Sequence, residues 1–428
     1  MDRKITPATR IVGTVRVPGD KSISHRLAML AAIAEGQSCI KNYASSQDCR
    51  STLSCLQSLS VPIEIVGGSQ VIVSGRGLRG LTRPREILDA GNSGSTIRML
   101  SGILVGQNFR TEISGDSSLR SRPMGRIIKP LSQMGARIQA RDNNYPPLSI
   151  LGGPLKGIQY VLPVASAQVK SAILLAGLLA EGETEVTEPV PTRNHTELAL
   201  KEFEAEVKVR GNQIAVKGGQ PIQAVTTKVP GDISSAAFFV AAATLIPGSE
   251  ILLSGVGLNQ GRRAIVDLLC EMGASVEILN PQTEAGEPLS DLQVRPAALR
   301  GGTISGDKIP QVIDEVPILA VLATQTQEGL EIRGAAELRV KESDRITSIV
   351  ENLRSMGASV EEFEDGMFIP GRQSLRGSRI HAYGDHRIAM AFAIAGLIAR
   401  GETLIEGSDC AAVSFPNFFE VLDQVTVR

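Results

Sequence analysis

The chain has 428 residues, with 44 Lys+Arg against 45 Asp+Glu and a net charge of −1. That balance excludes a bulk polybasic nucleic-acid binder and an acidic-tail protein, but it leaves room for a local basic pocket. Aromatic residues make up 3% with no Trp, and the apolar fraction is 42%, so base-stacking platforms are not expected while two or three globular domains are.

The N-terminal MDRKITPATR carries no apolar segment, so no secretory signal is expected. No apolar run reaches the ~18 residues of a membrane span, so no membrane partner is expected. The five cysteines (Cys39, Cys49, Cys55, Cys270, Cys410) are odd in number, contain no CxxC and lack zinc-ligand spacing. They read as free thiols of a reducing, cytoplasmic compartment, where the sequon at Asn194 has no meaning.

One pattern recurs six times along the chain: an apolar helical run, a Gly, then a β-branched run. The copies end their helices at Gly36, Gly106, Gly182, Gly248, Gly329 and Gly401, at intervals of 66 to 81 residues. Gly after a helical run predicts a left-handed C-terminal cap, and the β-branched residues beyond it predict a strand. A second helix ending follows at Met134-Gly135-Ala136, Met272-Gly273-Ala274 and Met356-Gly357-Ala358. Degenerate copies sit at Leu59-Ser60-Val61 and Phe203-Glu204-Ala205. Each unit therefore reads βαβαββ. The sixth stops at its second helix, and the N-terminal strand Ile11 to Val17 is the spare element expected to complete it. The segment Pro221 to Pro230 reads as a crossover. Two lobes of three units follow: residues 18–228, and residues 1–17 with 229–428.

The chemistry clusters at the helix starts. PGDKSISHR holds Lys21, Ser22, His25 and Arg26; AGNSGSTIR holds Asn92, Gly94, Ser95 and Arg98; ASAQVK holds Ser166, Gln168 and Lys170. IDEVP holds Asp314 and Glu315, and YGDHR holds Asp385, His386 and Arg387. Second helices open with Arg122, Arg193, Arg263 and the Lys341-Glu342-Ser343-Asp344-Arg345 run. A helix N-terminus binds anions, and a cation there works against the helix dipole. A lone Ser or Asp at such a place is ordinarily a cap, and a lone Lys or Arg a solvated side chain. The same composition at many equivalent positions points instead to polyanionic ligands. Other motifs fare worse. GRGLRG (Gly75, Gly77, Gly80) runs into Pro84 with no dinucleotide context, and neither GxxxxGK[ST] nor GxSxG occurs.

The blocks PGDKSISHR, GNSGSTIR, LRSRPMG, SAQVKSA, TRNHTE, IDEVPILA, RVKESDR, YGDHRIAM and SFPNFF, in that order from Pro18 to Phe419, resemble the 3-phosphoshikimate 1-carboxyvinyltransferases (EPSP synthases). Asp20 and SAQVK resemble that family's second, glyphosate-tolerant-type branch. The resemblance implies a two-lobed inside-out α/β barrel of six βαβαββ repeats, three per lobe, with helix N-termini facing the interlobe cleft. It implies transfer of the enolpyruvyl group of phosphoenolpyruvate to the 5-hydroxyl of shikimate 3-phosphate, without metal or organic cofactor, by a monomer. It assigns Lys21, Ser22, Arg26, Ser166, Ala167, Gln168, Arg193, Asp314 and Lys341 to shikimate 3-phosphate. Lys21, Gly94, Arg122, Gln168, Arg345 and Arg387 go to phosphoenolpyruvate, with Asn92 and His386 as further contacts.

The chemistry needs a base for the hydroxyl and an acid for the methylene carbon, roles expected of Asp314 and Glu342, with Lys21 alongside them. A phosphoenolpyruvate-binding Lys of the enterobacterial branch falls at or beside Val413 and is missing, while Gly94 keeps the small residue that admits glyphosate. Two other readings stand beside this one. The sibling enolpyruvyltransferase acting on UDP-N-acetylglucosamine carries a reactive Cys where this chain has Ser117. A non-catalytic anion-binding paralogue would have no use for Asp314 and Glu342 together.

Overall fold

The computed structural model describes residues 1–428. The chain forms two compact units, one of residues 1–18, 230–282 and 288–428, the other of residues 19–229 with 283–287. Each has its own apolar core. The short segment Thr283–Glu287, which the sequence reading leaves with residues 229–428, is counted with residues 19–229.

In the unit of residues 19–229, the first helix of each repeat is largely apolar and buried along most of its length: Lys21–Ile33, Gly94–Leu104 and Ala167–Leu178. Such helices are stable only when enclosed, and these form the middle of the unit. The helices of Gly94 and Ala167 pack backbone to backbone at Gly102, where a Cβ would lie 2.2 Å from the Ala172 carbonyl oxygen. That close approach sets the starts of the two helices, with Gly94 and Gln168, side by side. Three four-stranded sheets cover the helices, each pairing its first two strands in parallel and the rest antiparallel. The second helices, such as Gln47–Ser58 and Gly125–Gln133, bury one face only.

The other unit repeats the plan around the buried helices Ile233–Leu245, Val316–Ala323 and His386–Ile398. Its sheets have five, four and three strands. No helix of the chain is long and apolar enough to cross a membrane.

Two strands differ from the sequence reading. The strand Arg10–Val15 pairs in parallel with Glu250–Gly257 of the fourth repeat, burying Ile11 and Val15, and its start pairs antiparallel with Thr426–Val427 at the end of the sixth. The sheet of the sixth repeat is completed by Arg3–Ile5, antiparallel to Thr403–Glu406. The supposed crossover contains a strand, Thr226–Lys228, parallel to Gln37–Lys41 of the first repeat. At both places where the chain passes from one unit to the other, the strand that leads into a helix in sequence is therefore paired with the other repeat. A parallel partner has to arrive from a distant stretch of chain, so local pattern does not reveal it.

The glycine caps follow the repeat with one exception. Gly36, Gly182, Gly248, Gly329 and Gly401 all have φ between +71° and +96°, whereas Gly106 does not. Gly106 is required by space: a Cβ there would sit 2.6 Å from the Leu179 Cβ. The degenerate endings keep the left-handed turn without glycine, at Ser60 (φ +67°) and Glu204 (φ +62°). GRGLRG follows the strand Gln70–Ser74 as irregular chain, with no helix opening after it.

Candidate active site

The residues singled out from the sequence fall into two sets, one in each unit. In the unit of residues 19–229, Asp20 caps the first helix by accepting from the Ile23 N–H at 2.9 Å, so Lys21 and Ser22 occupy its first turn. The Lys21 ammonium is 2.8 Å from the Asp48 carboxylate. Arg26, one turn on, is buried and fully used. It donates from Nε to Thr196 Oγ1 at 2.7 Å, from Nη1 to the Ser22 carbonyl at 2.7 Å and from Nη2 to Ser171 Oγ at 2.8 Å. Burial lowers its pKa to about 10, against the pull of Glu197; Arg193, close enough to repel it, adds to the fall.

Six more predicted residues, Asn92, Gly94, Arg122, Ser166, Ala167 and Gln168, meet at the Gly94 and Ala167 helix starts. Ser93 and Ser166 cap these helices. Gln168 accepts from Arg98 Nη1 at 2.9 Å and donates to Ser95 Oγ at 3.0 Å. Arg122 Nη2 donates to Asn92 Oδ1 at 2.7 Å and to Ser118 Oγ at 3.1 Å. Gly94 lies between the two arginines: a Cβ there would be 2.7 Å from Arg98 Nη1 and 3.6 Å from Arg122 Nη1. Two guanidinium groups, a carboxamide and open backbone make an anion-binding surface. Ala167 opens the helix beside Gln168, and its carbonyl accepts from Ser171 Oγ at 2.6 Å, which ties Arg26 to this group.

Behind this surface lies a buried ionic layer. Lys170, fully enclosed, bonds Glu188 at 2.8 Å and Glu197 at 2.7 Å. His195 Nδ1 lies 2.7 Å from Glu287 Oε1. Arg193 immediately precedes the helix His195–Glu202 and is half-buried.

In the other unit the set is centred on Arg345, which is 1% exposed. Its Nε is 2.7 Å from Asp385 Oδ2, its Nη2 2.7 Å from Glu342 Oε2 and its Nη1 3.8 Å from Asp314 Oδ1. Burial works against this charge, but Asp385 first and then Glu342 outweigh it and raise the pKa above the ordinary arginine value. Desolvation likewise opposes ionisation of Asp385, yet Arg345 and then His386 hold its carboxyl below the ordinary range.

Lys341 Nζ stands 3.8 Å from Asp314 Oδ1. Arg387 Nη1 donates to the Asp314 carbonyl at 2.8 Å, and Asp385 caps its helix by accepting from the Arg387 N–H at 2.9 Å. Asp314, Lys341, Glu342, Arg345 and Arg387 are thus brought together as one cluster. Val413 ends a short 3-10 helix, Ser408–Val413, just before the buried Phe415.

Three members carried no ligand assignment from the sequence. Asp48 lies in an ordinary capped helix start, with nothing in its sequence to mark it. Arg98 and Asp385 stood in the repeated helix-start blocks, which is the signal that could have promoted them.

A duplicated fold of three-repeat units, each presenting capped helix starts with arginines and lysines, defines an enolpyruvyltransferase-like protein. Residues 5–422 match the EPSP synthase (3-phosphoshikimate 1-carboxyvinyltransferase) family, and the chain belongs to that family. It is 54% identical to the 3-phosphoshikimate 1-carboxyvinyltransferase of Solibacter usitatus (strain Ellin6076), over 99% of this chain and 100% of the relative. It is 50% identical to that of Koribacter versatilis (strain Ellin345), over 99% of each. A solved structure of EPSP synthase from Acinetobacter baumannii superposes with a TM-score of 0.90 at 43% identity, covering 100% of this chain and 98% of that one.

Proposed function

We propose that the protein transfers the enolpyruvyl group of phosphoenolpyruvate to the 5-hydroxyl of shikimate 3-phosphate, acting as a 3-phosphoshikimate 1-carboxyvinyltransferase in aromatic amino acid biosynthesis. The observation that carries this reading is the buried Arg345, which pairs with Glu342 at 2.7 Å and stands 3.8 Å from Asp314. A site that only binds anions gains nothing from two carboxylates set against its cations, whereas proton transfer needs both.

In this reading Lys21, Ser22, Arg26, Ser166, Ala167, Gln168, Arg193, Asp314 and Lys341 hold shikimate 3-phosphate. Lys21, Gly94, Arg122, Gln168, Arg345 and Arg387 hold phosphoenolpyruvate. Lys21, 2.8 Å from Asp48, serves both substrates as a point charge. Asp314 takes the proton of the 5-hydroxyl while that oxygen bonds to C2 of phosphoenolpyruvate. Glu342 delivers a proton to C3, making it a methyl group. The tetrahedral adduct then collapses: the C2–O bond to phosphate breaks, the departing phosphate takes the proton held by Asp314, and Glu342, now a carboxylate, takes a methyl proton to restore the double bond. Electrons balance without a redox partner, and no step calls for a metal or organic cofactor.

Arg345 and Arg387 stabilise charge as phosphate departs. The protein works as a cytoplasmic monomer. Asp20 and the Ser166–Lys170 block support membership of the second, glyphosate-tolerant-type branch.

The test is release of inorganic phosphate with both substrates and no added metal. Phosphate formed only when both are present, in step with the enolpyruvyl product, is the expected result. Release that requires UDP-N-acetylglucosamine as acceptor, or no release at all, would overturn the reading.

A further inference from the structure

We infer that the unit of residues 19–229 carries a second ligand site, for a small apolar acid: a single ring or branched chain bearing one carboxylate. The pocket has a volume of about 200 Å³ and lies between the helix Gly125–Gln133 and the segment 160–164. Its walls are Tyr160, Leu162, Pro163 and Val164, with Val169 at the back; Arg126 and Lys129 complete it. A dry cavity of ~150 Å³ accepts a benzene ring, so this one takes a ring of that size with a short substituent.

Charge selects the rest of the ligand. Arg126 and Lys129 are three residues apart on one helix, hence on one face, and both are exposed. None of the eight lining residues is acidic. No Asp or Glu occurs anywhere between Asp116 and Asp142, a stretch that holds six cations. Apolar surface is left uncovered beside the pocket: Val161 is 68% and Val164 48% exposed. An apolar slot edged by cations and free of carboxylates fits an amphiphilic anion better than a sugar phosphate, whose hydroxyls would find no partners on these walls. None of the residues that hold the two substrates in the proposed reaction lines it.

Phenylacetate is a suitable probe, followed by saturation-transfer NMR on the whole protein, with the neutral phenylacetamide as the control for charge. Phenylacetate should bind, phenylacetamide should bind about fivefold or more weakly, and the double variant Arg126→Gln/Lys129→Gln should weaken phenylacetate by a similar factor. Val164→Phe, at a half-exposed position, should block the slot without unfolding the chain, which circular dichroism would verify. Phenylacetate that fails to bind, or binds equally to both variants, overturns the site; the second outcome places the acid among the cations of the proposed active site. Because the readout is binding, it stands or falls separately from the transferase reading.

Discussion

Arg345 Nε and Asp385 Oδ2 lie 2.7 Å apart with both side chains closed off from solvent. The pair joins the start of one helix, Arg345–Ser355, to the start of another, His386–Ile398. Asp385 also caps its own helix through the Arg387 N–H. One carboxylate therefore holds the Arg345 guanidinium and the backbone of Arg387, both assigned to phosphoenolpyruvate.

Removing that carboxylate leaves the buried Arg345 guanidinium with Glu342 as its one close carboxylate and loses a charge-assisted hydrogen bond, which costs about 1.5–3 kcal/mol. Asp385→Asn should lose that much stability in urea unfolding at pH 7. The native carboxyl titrates below the ordinary value of 3.8, so its contribution is complete above that value and disappears as pH falls through the native pKa. The gap between wild type and variant should stay constant from pH 8 to 5 and close below pH 4. A gap that widens in acid would contradict the assignment.

Asp314→Ala removes the proposed base but leaves the cations of the 19–229 unit intact. Turnover should fall by a factor of ~10²–10⁴, while the dissociation constant of shikimate 3-phosphate rises far less. Rapid-quench measurement of a single turnover, paired with calorimetric binding, separates the two. Near-normal turnover would exclude Asp314 as the base.

Much of this organisation was readable in advance because the caps are local. A Gly after a helix needs no partner to declare itself, and even Ser60 and Glu204 could be placed by register with Gly135 and Gly357. Pairing is different. Ile11 to Val17 is apolar and β-branched enough to suit several sheets, and Arg3–Ile5, only three residues long, leaves almost no pattern. At the site, repetition picked out Arg122, Gln168 and Arg345, whereas Asp48 looks like any residue in the first turn of a capped helix. Its closeness to Lys21 depends on how two helices pack, which composition does not record.

At Gly94 the added Cβ of an alanine would sit 2.7 Å from Arg98 Nη1, the free end of a flexible chain. The arginine rather than the backbone must move, and it gives up its 2.9 Å bond to Gln168. Gln168, assigned to phosphoenolpyruvate, is then no longer held in place, and loss of one charge-assisted contact to that substrate corresponds to about tenfold in affinity. Gly94→Ala should raise the KM for phosphoenolpyruvate by roughly that factor. An unaltered KM would mean that the Arg98–Gln168 bond does not position Gln168 for that substrate.

His25 is fully buried on the helix of Lys21, with Nδ1 2.7 Å from Thr52 Oγ1, which in turn reaches Thr96 Oγ1 at 2.7 Å. This chain links the helix starts that carry Lys21 and Gly94. Burial, with help from Lys21 and then Arg26, pushes the His25 pKa well below 6.5. The unfolded chain takes up a proton near pH 6.5 and the native protein does not, so stability must fall as pH drops beneath that value. The slope from this one group approaches 1.4 kcal/mol per pH unit. His25→Gln should flatten the decline between pH 6.5 and 5.5, even though it costs ~1–3 kcal/mol at pH 7.5 by disturbing the Thr52 bond. Urea midpoints across that range test both statements, and parallel curves for wild type and variant would show that His25 is not held neutral.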